Sequence, residues 1–414
     1  MQVVVGRCAA LDVHKDTVMA CVRVPGADGE RGQQVREFGT FTGQLRLLRS
    51  WLAGFGVSQV ALEATGVYWK PVWHVLQDLP GVRLLLVNAR HVKNVPGRKT
   101  DVADAVWLCQ LLECGLLRGS FVPPEEIARL RDLTRYRTKL VQERTRETQR
   151  VQKVLEDAGI KLDSVVSDVL GKSGRAMLDR LLAGERDVAA LAELAHGRMR
   201  RKIPQLRQAL EGGFADHHAR LLRLHLSHID QLNLLVEELE AQIDQDMARF
   251  RPQQQRLMTI PGVGAHTAEV IIAEIGVDMS VFPSPGHLAS WAGMCPGNHQ
   301  SAGKRRTGTP RKGDGALRAA LCEAAWAASR TGGYLGARHR RLLRRFGTKG
   351  QNKATFAVAH SILVAIWHLL HDDRDYAELG ADFYLRRDDR QIRTRQLIRQ
   401  LESLGHKVTI EPAA

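Results

Sequence analysis

The stretch that decides the fold is Cys8-Ala9-Ala10-Leu11-Asp12-Val13, an apolar run with a carboxylate near its end. An apolar run of this length is typical of a β-strand. A second run of this kind, Val60-Ala61-Leu62-Glu63-Ala64, also carries an acid near its end. The two runs predict neighbouring strands whose ends bring Asp12 and Glu63 together.

The residues around these strands predict an α/β domain with a mixed sheet. Residues 3–13 and 17–24 are rich in β-formers, and the polar turn His14-Lys15-Asp16 between them predicts a hairpin. The other predicted elements are a strand near 34–41, a helix that begins at Thr42, a helix around 69–79 and a strand over 82–87. Functional sites in such sheets collect where neighbouring strands end.

Two further acids, Asp101 and Asp104, stand three residues apart at the start of a helical pattern, so both project from one helix face. With Asp12 and Glu63 they make a set of four carboxylates. Mg²⁺ prefers oxygen ligands and keeps room for phosphate, and two such ions can clamp both reacting oxygens of a phosphodiester. The set predicts chemistry on a nucleic-acid backbone with Mg²⁺ or Mn²⁺. Asp16, flanked by polar residues, is predicted to be solvated.

The charge of the chain also indicates a polyanionic partner. The 414 residues include 60 Lys and Arg against 45 Asp and Glu, which gives a net charge of +15 and a pI near 9.9. This length is enough for two or three domains with a sizeable core. A generally basic, Arg-rich proteome is the alternative, but the charge is clustered, which favours nucleic acid.

The cysteines and histidines predict no metal or disulfide framework. The six cysteines form no Cys-x-x-Cys pair and indicate core thiols in a reducing cytosol. His225 and His228 are three apart on a helix without a second ligand pair, so we interpret them as structural.

No segment predicts export or a membrane span. The N-terminus lacks a signal pattern, and the longest apolar run, Ala354 to Leu370, contains His360 and His368 and is short for a span. We expect a buried core helix and a cytoplasmic protein with no membrane partner.

A boundary is expected at Pro123-Pro124, followed by a long basic helix over 125–157. Between Arg129 and Lys153 there are nine Lys and Arg against three acids. The candidate nucleic-acid contacts on this helix are Arg135, Arg137, Lys139, Arg144, Arg146 and Arg150. A solvated charged face is the alternative, but the excess of one sign favours a surface that tracks phosphates.

A second long helix is predicted over about 219–250, with apolar residues at heptad spacing that indicate a coiled coil. The heptad residues are Leu222, Ile229, Val236, Ile243 and Phe250, with Leu232 and Leu239 in a second seam. This helix could pair with the 125–157 helix of the same chain or with another protomer. The predicted domains are 1–122, a helical coiled-coil region 123–250 with an insertion over 159–214, and a mainly α-helical C-terminal domain 251–414.

The C-terminal domain contains two stretches that could contact phosphate. In Ile260-Pro261-Gly262-Val263-Gly264, Gly262 and Gly264 allow positive φ before a helix start with free N–H groups, as in a helix-hairpin-helix motif; a plain turn is the alternative. The second stretch, Gly293 to Arg306, is predicted to be a basic loop around Ser301. Its candidate nucleic-acid contacts are Lys304, Arg305, Arg306, Arg311 and Lys312.

Ser301 is a candidate nucleophile. Between Ser301 and Lys353 there are fourteen Lys and Arg and only two acids. Cations can lower the pKa of a hydroxyl and stabilise charge that develops on phosphate. A loop serine that only forms hydrogen bonds is the usual alternative. His299 is a possible base, and no Gly-x-Ser-x-Gly elbow supports acyl transfer.

Several motifs occur in one order that resembles a known family. They are Leu11-Asp12-Val13-His14-Lys15, Leu62-Glu63-Ala64-Thr65-Gly66, Lys99-Thr100-Asp101-Val102-Ala103-Asp104-Ala105, Ile260-Pro261-Gly262-Val263-Gly264, Ala292-Gly293-Met294-Cys295-Pro296-Gly297 and Ser301-Ala302-Gly303-Lys304. The chain resembles the DEDD insertion-sequence transposases of the IS-one-ten family, relatives of the Piv-type invertases. The resemblance implies a RuvC-like N-terminal domain (RNase H fold), a coiled-coil middle and a C-terminal transposase domain with a catalytic serine.

The resemblance also implies roles and partners. Asp12, Glu63, Asp101 and Asp104 would be the metal-binding tetrad, and Ser301 would be the nucleophile. The implied partners are donor and target DNA, a non-coding bridge RNA, and further copies of the chain in dimers that join into tetramers.

Two rival functions make different predictions. A RuvC-like junction nuclease that uses water would not need Ser301. A nucleic-acid-binding scaffold with a degenerate site would not need the carboxylates, although clustered acids without a metal repel one another.

Overall fold

The structure, a computed structural model, describes residues 2–26, 30–63, 66–88, 100–295, 299–301, 303–306, 312–384 and 390–410. It divides into two compact units, Met1–Val122 and Pro123–Ala414. The division between the units falls between Val122 and Pro123. The boundary expected at 250/251 lies inside the second unit, where the middle and C-terminal segments pack together.

The first unit is an α/β domain built on one mixed sheet. Its elements are β1 (Cys8–Val13), β2 (Thr17–Pro25), β3 (Arg31–Gly39), α1 (Thr42–Gly54), β4 (Gln59–Glu63), α2 (Trp69–Leu76), β5 (Arg83–Val87) and α3 (Asp101–Glu113). The strand order is β3-β2-β1-β4-β5. Neighbours β1, β2 and β3 are antiparallel, whereas β1, β4 and β5 are parallel, which confirms the mixed sheet. β3 begins earlier than predicted because its pairing with β2 continues to Arg31 opposite Pro25.

Alternation along β1 and β4 sends successive side chains into two different cores. Leu11 and Leu62 belong to the core that contains residues of α1 and α2. Ala10 and Ala61 belong to the core that contains α3. Because side chains alternate faces along a strand, the residues that follow Leu11 and Leu62 return to the α3 side of the sheet.

The second unit is mainly helical. Its elements are α4 (Glu125–Asp157), α5 (Lys172–Leu182), α6 (Val188–Glu193), α7 (Ile203–Leu210), α8 (Asp216–Met247), α9 (Arg251–Met258), α10 (Ala265–Ile275), α11 (Pro285–Trp291), β6 (His299–Ser301), β7 (Lys304–Arg306), α12 (Gly315–Ser329), α13 (Tyr334–Phe346), α14 (Gln351–His371) and α15 (Arg390–Ser403). Short 3₁₀ helices cover Leu162–Ser164, Gly197–Lys202, Ala248–Phe250, Met279–Val281 and Thr348–Gly350.

The two long helices, α4 and α8, pack against each other within the chain. Leu140 of α4 meets Leu232 and Val236 of α8 in a buried cluster. The five residues at the predicted heptad positions are all buried. The pairing that the sequence left open is therefore intramolecular in this structure. Helices of the 159–214 insertion share a further core with both long helices, which includes Leu155, Leu178 and Leu226.

Helix α14 is the one helix in the described parts of the chain that is long and apolar enough to cross a membrane. Half of its most apolar window is buried inside the protein. Val358 and Ile362 are fully buried, and the Trp367 Nε1 donates a hydrogen bond to the Phe282 carbonyl oxygen at 2.9 Å. These contacts agree with the predicted core helix.

The serine segment differs from the predicted loop because it forms a hairpin. The backbone of β6 pairs antiparallel with β7, with Ser301 opposite Lys304. The turn between them contains Gly303 at a φ of +77°. Two-residue hairpin turns need such left-handed conformations, which glycine adopts without strain.

The turn before α10 contains Gly262 and Gly264, and the structure shows why the first of them must be glycine. Gly262 has a φ of +92°, and a Cβ there would lie 2.2 Å from the Ala324 carbonyl oxygen of α12. Close packing against α12 therefore requires this glycine. Gly264 is the N-cap of α10 and has open space around it.

Candidate active site

The sheet brings Asp12 and Glu63 to the same edge and the same face. β1 and β4 are parallel with Leu11 opposite Leu62, so Asp12 and Glu63 come next in register. Alternation turns both toward the face that α3 covers. Asp12 is buried and Glu63 is half-buried. The ends of two neighbouring parallel strands thus carry Asp12 and Glu63 side by side on one face of the sheet.

Helix α3 adds the other two carboxylates from its first turn. Thr100 caps the helix because its Oγ1 accepts a hydrogen bond from the Ala103 N–H at 3.2 Å. The cap sets the start of the helix at Asp101, which leaves Asp101 and Asp104 in the first turn. Carboxylates are favoured there because the N-terminal end of a helix carries partial positive charge.

His14 links the strand acid to the helix acid. Its Nε2 lies 3.2 Å from Asp12 Oδ2 and 3.6 Å from Asp101 Oδ1. One ligand atom from each of these three residues lies within 4.8 Å of the others. From the sequence, His14 is predicted to lie in a polar turn and belongs to one of the ordered motifs, with no role at the site. Its position two residues after Asp12, at the end of a strand, was the available signal, because residues two apart share a strand face.

Burial raises the pKa of the Asp12 carboxyl group. His14 lowers the pKa, and the negative charges of Asp101 and Asp104 raise it further. Asp12, Asp101 and Asp104 therefore lie within electrostatic reach of one another. A buried acid among other acids is stabilised by a cation, and this oxygen-rich set suits a divalent ion such as Mg²⁺ or Mn²⁺.

Asp16 lies outside this cluster. It is exposed in the turn between β1 and β2, and its carbonyl oxygen accepts a hydrogen bond from the Thr40 N–H at 3.2 Å. This exposed position agrees with the expected solvated residue.

Ser301 belongs to the second unit, at the last position of β6. The residues on either side of the segment that carries Ser301 lie close together. A Cβ on Gly313 would lie 2.3 Å from the Ala292 carbonyl oxygen, so the chain before and after the hairpin is in close contact. Asp314 then caps α12 and pairs with Arg135 of α4 at 2.8 Å.

Three of the six cations predicted on α4 to contact nucleic acid are engaged by acids of the protein, and two of these three pair with acids of α10. Arg135 binds both carboxylate oxygens of Glu274, at 2.7 and 2.8 Å. Arg137 is buried and donates to Glu269 at 2.8 Å. These pairs join α4 to α10, which explains why the segments on either side of residue 250 form one unit.

The other predicted contacts are more varied. Arg144 donates to Asn233 at 3.0 Å, and Arg150 pairs with Glu147. Lys139, Arg146 and Lys312 are exposed. The side chains of Lys304, Arg305 and Arg306, and the whole of Arg311, lie outside the described residues.

Histidines at two further places contact acids of α4. His225 and His228 face the buried Glu147 at 2.8 and 3.3 Å, as their structural interpretation requires. His218 accepts a hydrogen bond from the Ala215 N–H through Nδ1 and contacts Asp157 through Nε2 at 3.0 Å. Both ring nitrogens of His218 are therefore used at the start of α8.

The junction between α4 and α10 predicts a pH-dependent stability. Glu274 is fully buried, and burial raises its pKa from 4.5 to about 7, against the opposing effect of Arg135. Because the folded-state pKa is raised, the stabilisation is complete below pH 4.5 and is lost as the pH rises through about 7. Relative to Glu274→Gln, the wild type should lose about 3 kcal/mol of unfolding free energy across this interval.

Urea unfolding of both proteins at about pH 4.5 and about pH 7.5 measures this difference, since other titrating groups are common to both. Glu237→Gln, at an exposed position, is the matched control. Its unfolding free energy should differ from that of the wild type by the same amount at both pH values. A constant difference for Glu274→Gln as well would contradict the prediction.

Two family models of transposases match separate segments of the chain. The family model DEDD Tnp IS110, described as a transposase, matches residues 9–160, which include all four carboxylates. A second model, described as "Transposase IS116/IS110/IS902 family", matches residues 254–340, which include Ser301. The two matches together cover more than half of the chain.

The chain is also similar to individual proteins that are named as transposases or as products of insertion elements. The chain is 27% identical over 326 residues to a "Probable family 20 transposase" of Pseudomonas aeruginosa, a match that covers 77% of this chain and 85% of that protein. It is 23% identical over 330 residues to the "Transposase for insertion sequence element IS1111A" of Coxiella burnetii, covering 79% of this chain and 81% of the relative. An "Insertion element IS110 uncharacterized 43.6 kDa protein" of Streptomyces coelicolor is 29% identical over 271 residues, covering 60% of this chain and 64% of the relative.

Transposases of this kind are enzymes that cut and rejoin DNA. Both family models, the ordered motifs and the four carboxylates lead to the same assignment. The chain belongs to the IS110 family of DEDD insertion-sequence transposases.

Proposed function

We propose that this transposase joins DNA strands with a metal-binding acidic tetrad and a serine nucleophile, guided by a bridge RNA. The observation that carries the proposal is the convergence of Asp12 and Asp101, which come from a strand end and a helix start and meet through His14. The DEDD domain implies a RuvC-like fold, with which the mixed sheet of the first unit agrees.

Asp12, Glu63, Asp101 and Asp104 would hold the divalent ion, Mg²⁺ or Mn²⁺. When bound, the ion supplies Lewis-acid stabilisation of the charge that develops on the phosphate. The Ser301 Oγ forms a bond to phosphorus and loses its proton, while the bond from phosphorus to the 3′ oxygen breaks. The 3′ oxygen takes up a proton and leaves as a hydroxyl. The 3′ hydroxyl of one strand then attacks the phosphoserine of the partner strand and regenerates the serine.

Ser301 and the tetrad belong to different compact units, so this reaction requires two units to assemble on one DNA site. The units could come from one chain or from two protomers. Assembly of dimers into a tetramer on donor and target DNA, as the family resemblance implies, would supply either arrangement.

We also propose that α4 contacts the phosphates of nucleic acid, through the cations that acids do not engage. Lys139 and Arg146 are exposed on α4, and Lys312 is exposed after the serine hairpin. The Gly264 N-cap of α10 adds a helix start with open space, as a helix-hairpin-helix contact to phosphate needs. The buried heptad positions of α8 support coiled-coil packing with α4.

The phosphate contacts predict a steep dependence of RNA binding on salt. If about six contacts form, the affinity should fall by about 10³-fold between about 50 and 200 mM salt. The slope of the logarithm of affinity against the logarithm of salt concentration reports the number of phosphate contacts. The double variant Lys139→Gln/Arg146→Gln should reduce the magnitude of this slope by about two, because each contact releases roughly one counterion. Filter binding of RNA from the native element at a series of salt concentrations measures both quantities.

The exposed Lys172→Gln, on the insertion helix α5, is the matched control and should leave the slope unchanged. Wild-type RNA affinity that does not depend on salt would contradict the proposal that α4 contacts nucleic acid. An unchanged slope in the double variant would contradict it as well.

Strand exchange in vitro tests the proposal as a whole, with purified protein, element RNA, donor and target DNA, and Mg²⁺. Normal exchange by Ser301→Ala would favour a nuclease that uses water. Normal function without the carboxylates would favour a scaffold.

A further inference from the structure

The imidazole of His14 lies beside two of the four carboxylates that would hold a metal. Its Nε2 is 3.2 Å from Asp12 Oδ2 and 3.6 Å from Asp101 Oδ1. Two ligands in adjacent positions of an octahedral ion, each at about 2.1 Å from the metal, are about 3.0 Å apart. The two distances from Nε2 are close to that of adjacent ligands on one ion, and the carboxylate oxygens of Asp12 and Asp101 lie within 4.8 Å of each other.

The backbone holds His14 in this position. The His14 N–H donates to the Thr17 carbonyl oxygen at 2.9 Å, which closes the turn between β1 and β2. The end of β3 fixes the same turn, because Thr40 donates through Oγ1 to the Lys15 carbonyl oxygen at 2.9 Å. The side chain of His14 is 43% exposed, so an ion and its water ligands can reach it.

We propose that His14 is a nitrogen ligand of the divalent ion, which makes the centre a mixed imidazole and carboxylate site. This inference rests on the proposed function, in which the tetrad holds the ion. Without metal, the Nε2 contact with Asp12 is a hydrogen bond. With metal, the same nitrogen uses its lone pair for the ion, and the ring proton resides on Nδ1.

A nitrogen ligand has a consequence for metal choice. Imidazole binds transition metals well, whereas an all-oxygen set suits Mg²⁺ and Ca²⁺. The wild-type site should therefore favour Mn²⁺ over Mg²⁺ more strongly than a His14→Asp site, in which oxygen replaces the nitrogen.

Pulsed electron paramagnetic resonance of bound Mn²⁺ tests the assignment directly, since echo modulation reports imidazole nitrogen coordinated to the ion. The experiment uses full-length protein without a histidine tag. Wild-type protein should show nitrogen modulation. His14→Gln, which retains an amide donor for Asp12, should lose it and bind Mn²⁺ at least about 10-fold more weakly. His14→Asp should retain Mn²⁺ binding but show no nitrogen modulation. This second variant tests the assignment even if His14→Gln does not fold.

Matched controls separate His14 from other residues. Asp16→Asn in the same turn and His74→Gln on α2, both at exposed positions, should keep the nitrogen modulation and the affinity. Modulation that survives in His14→Gln or His14→Asp would overturn the inference, because another histidine would be the source.

A comparison with Asp12→Asn separates the inference from the proposed function. Mn²⁺ binding that needs Asp12 but shows no nitrogen modulation would overturn the role of His14 and leave the tetrad intact. Mn²⁺ binding that is equal in wild type and Asp12→Asn would overturn the metal site itself, and with it the inference.

Discussion

Ser301→Ala should form no covalent adduct with DNA and should lose strand exchange by on the order of 10⁶-fold, the scale observed when a serine nucleophile is removed from a protease. The expected loss is large because alanine removes the only atom that could bond to phosphorus at this position. A suicide DNA substrate, nicked close to the scissile phosphate, should trap wild-type protein as a phosphoserine adduct. Peptide mapping by mass spectrometry should locate the added phosphate on Ser301.

A control for this experiment is Ser290→Ala, an exposed serine on α11 in the same unit. It should form the adduct and exchange strands at the wild-type rate. Ser301→Ala should still bind RNA and DNA, since binding does not need the hydroxyl. Normal exchange by Ser301→Ala, or an adduct mapped to another residue, would exclude the serine mechanism.

Asp12→Asn should lower Mg²⁺-dependent strand exchange by on the order of 10³-fold or more, the scale for the loss of one preorganised electrostatic contact in an active site. Asparagine has the same shape but carries no negative charge for the ion. Without metal, the variant should be as stable as the wild type or more stable. Burial and the charges of Asp101 and Asp104 disfavour an ionised carboxylate at this position.

Thermal unfolding in EDTA and in Mg²⁺ distinguishes a lost metal site from a damaged fold. Mg²⁺ should raise the melting temperature of the wild type and leave that of Asp12→Asn unchanged, because only a ligand that binds the folded state stabilises it. Asp16→Asn, in the adjacent turn, should behave as the wild type. Wild-type exchange by Asp12→Asn, or an equal shift by Mg²⁺ in both proteins, would contradict the metal assignment.

Several elements could be predicted from the sequence because their signals are local. The apolar runs around Leu11 and Leu62 form β1 and β4, and the heptad residues of α8 are buried. The acids of the candidate site could be named because a strand end and the start of a helical pattern are visible in neighbouring residues. The structure adds that Thr100 caps the helix that begins at Asp101.

The contacts between these elements could not be predicted from the sequence and are visible only in the folded structure. His14 contacts Asp101, which is 87 positions further along the chain, because β1 and the start of α3 reach the same sheet edge. Arg135 and Arg137 belong to the same basic run as Lys139, yet acids of α10 engage the first two and Lys139 remains exposed. Residues on one helix differ in this way because a helix presents each of its faces to different surroundings. A local pattern predicts whether a segment is a helix or a strand. The partners of a side chain depend instead on surfaces that come from distant parts of the chain.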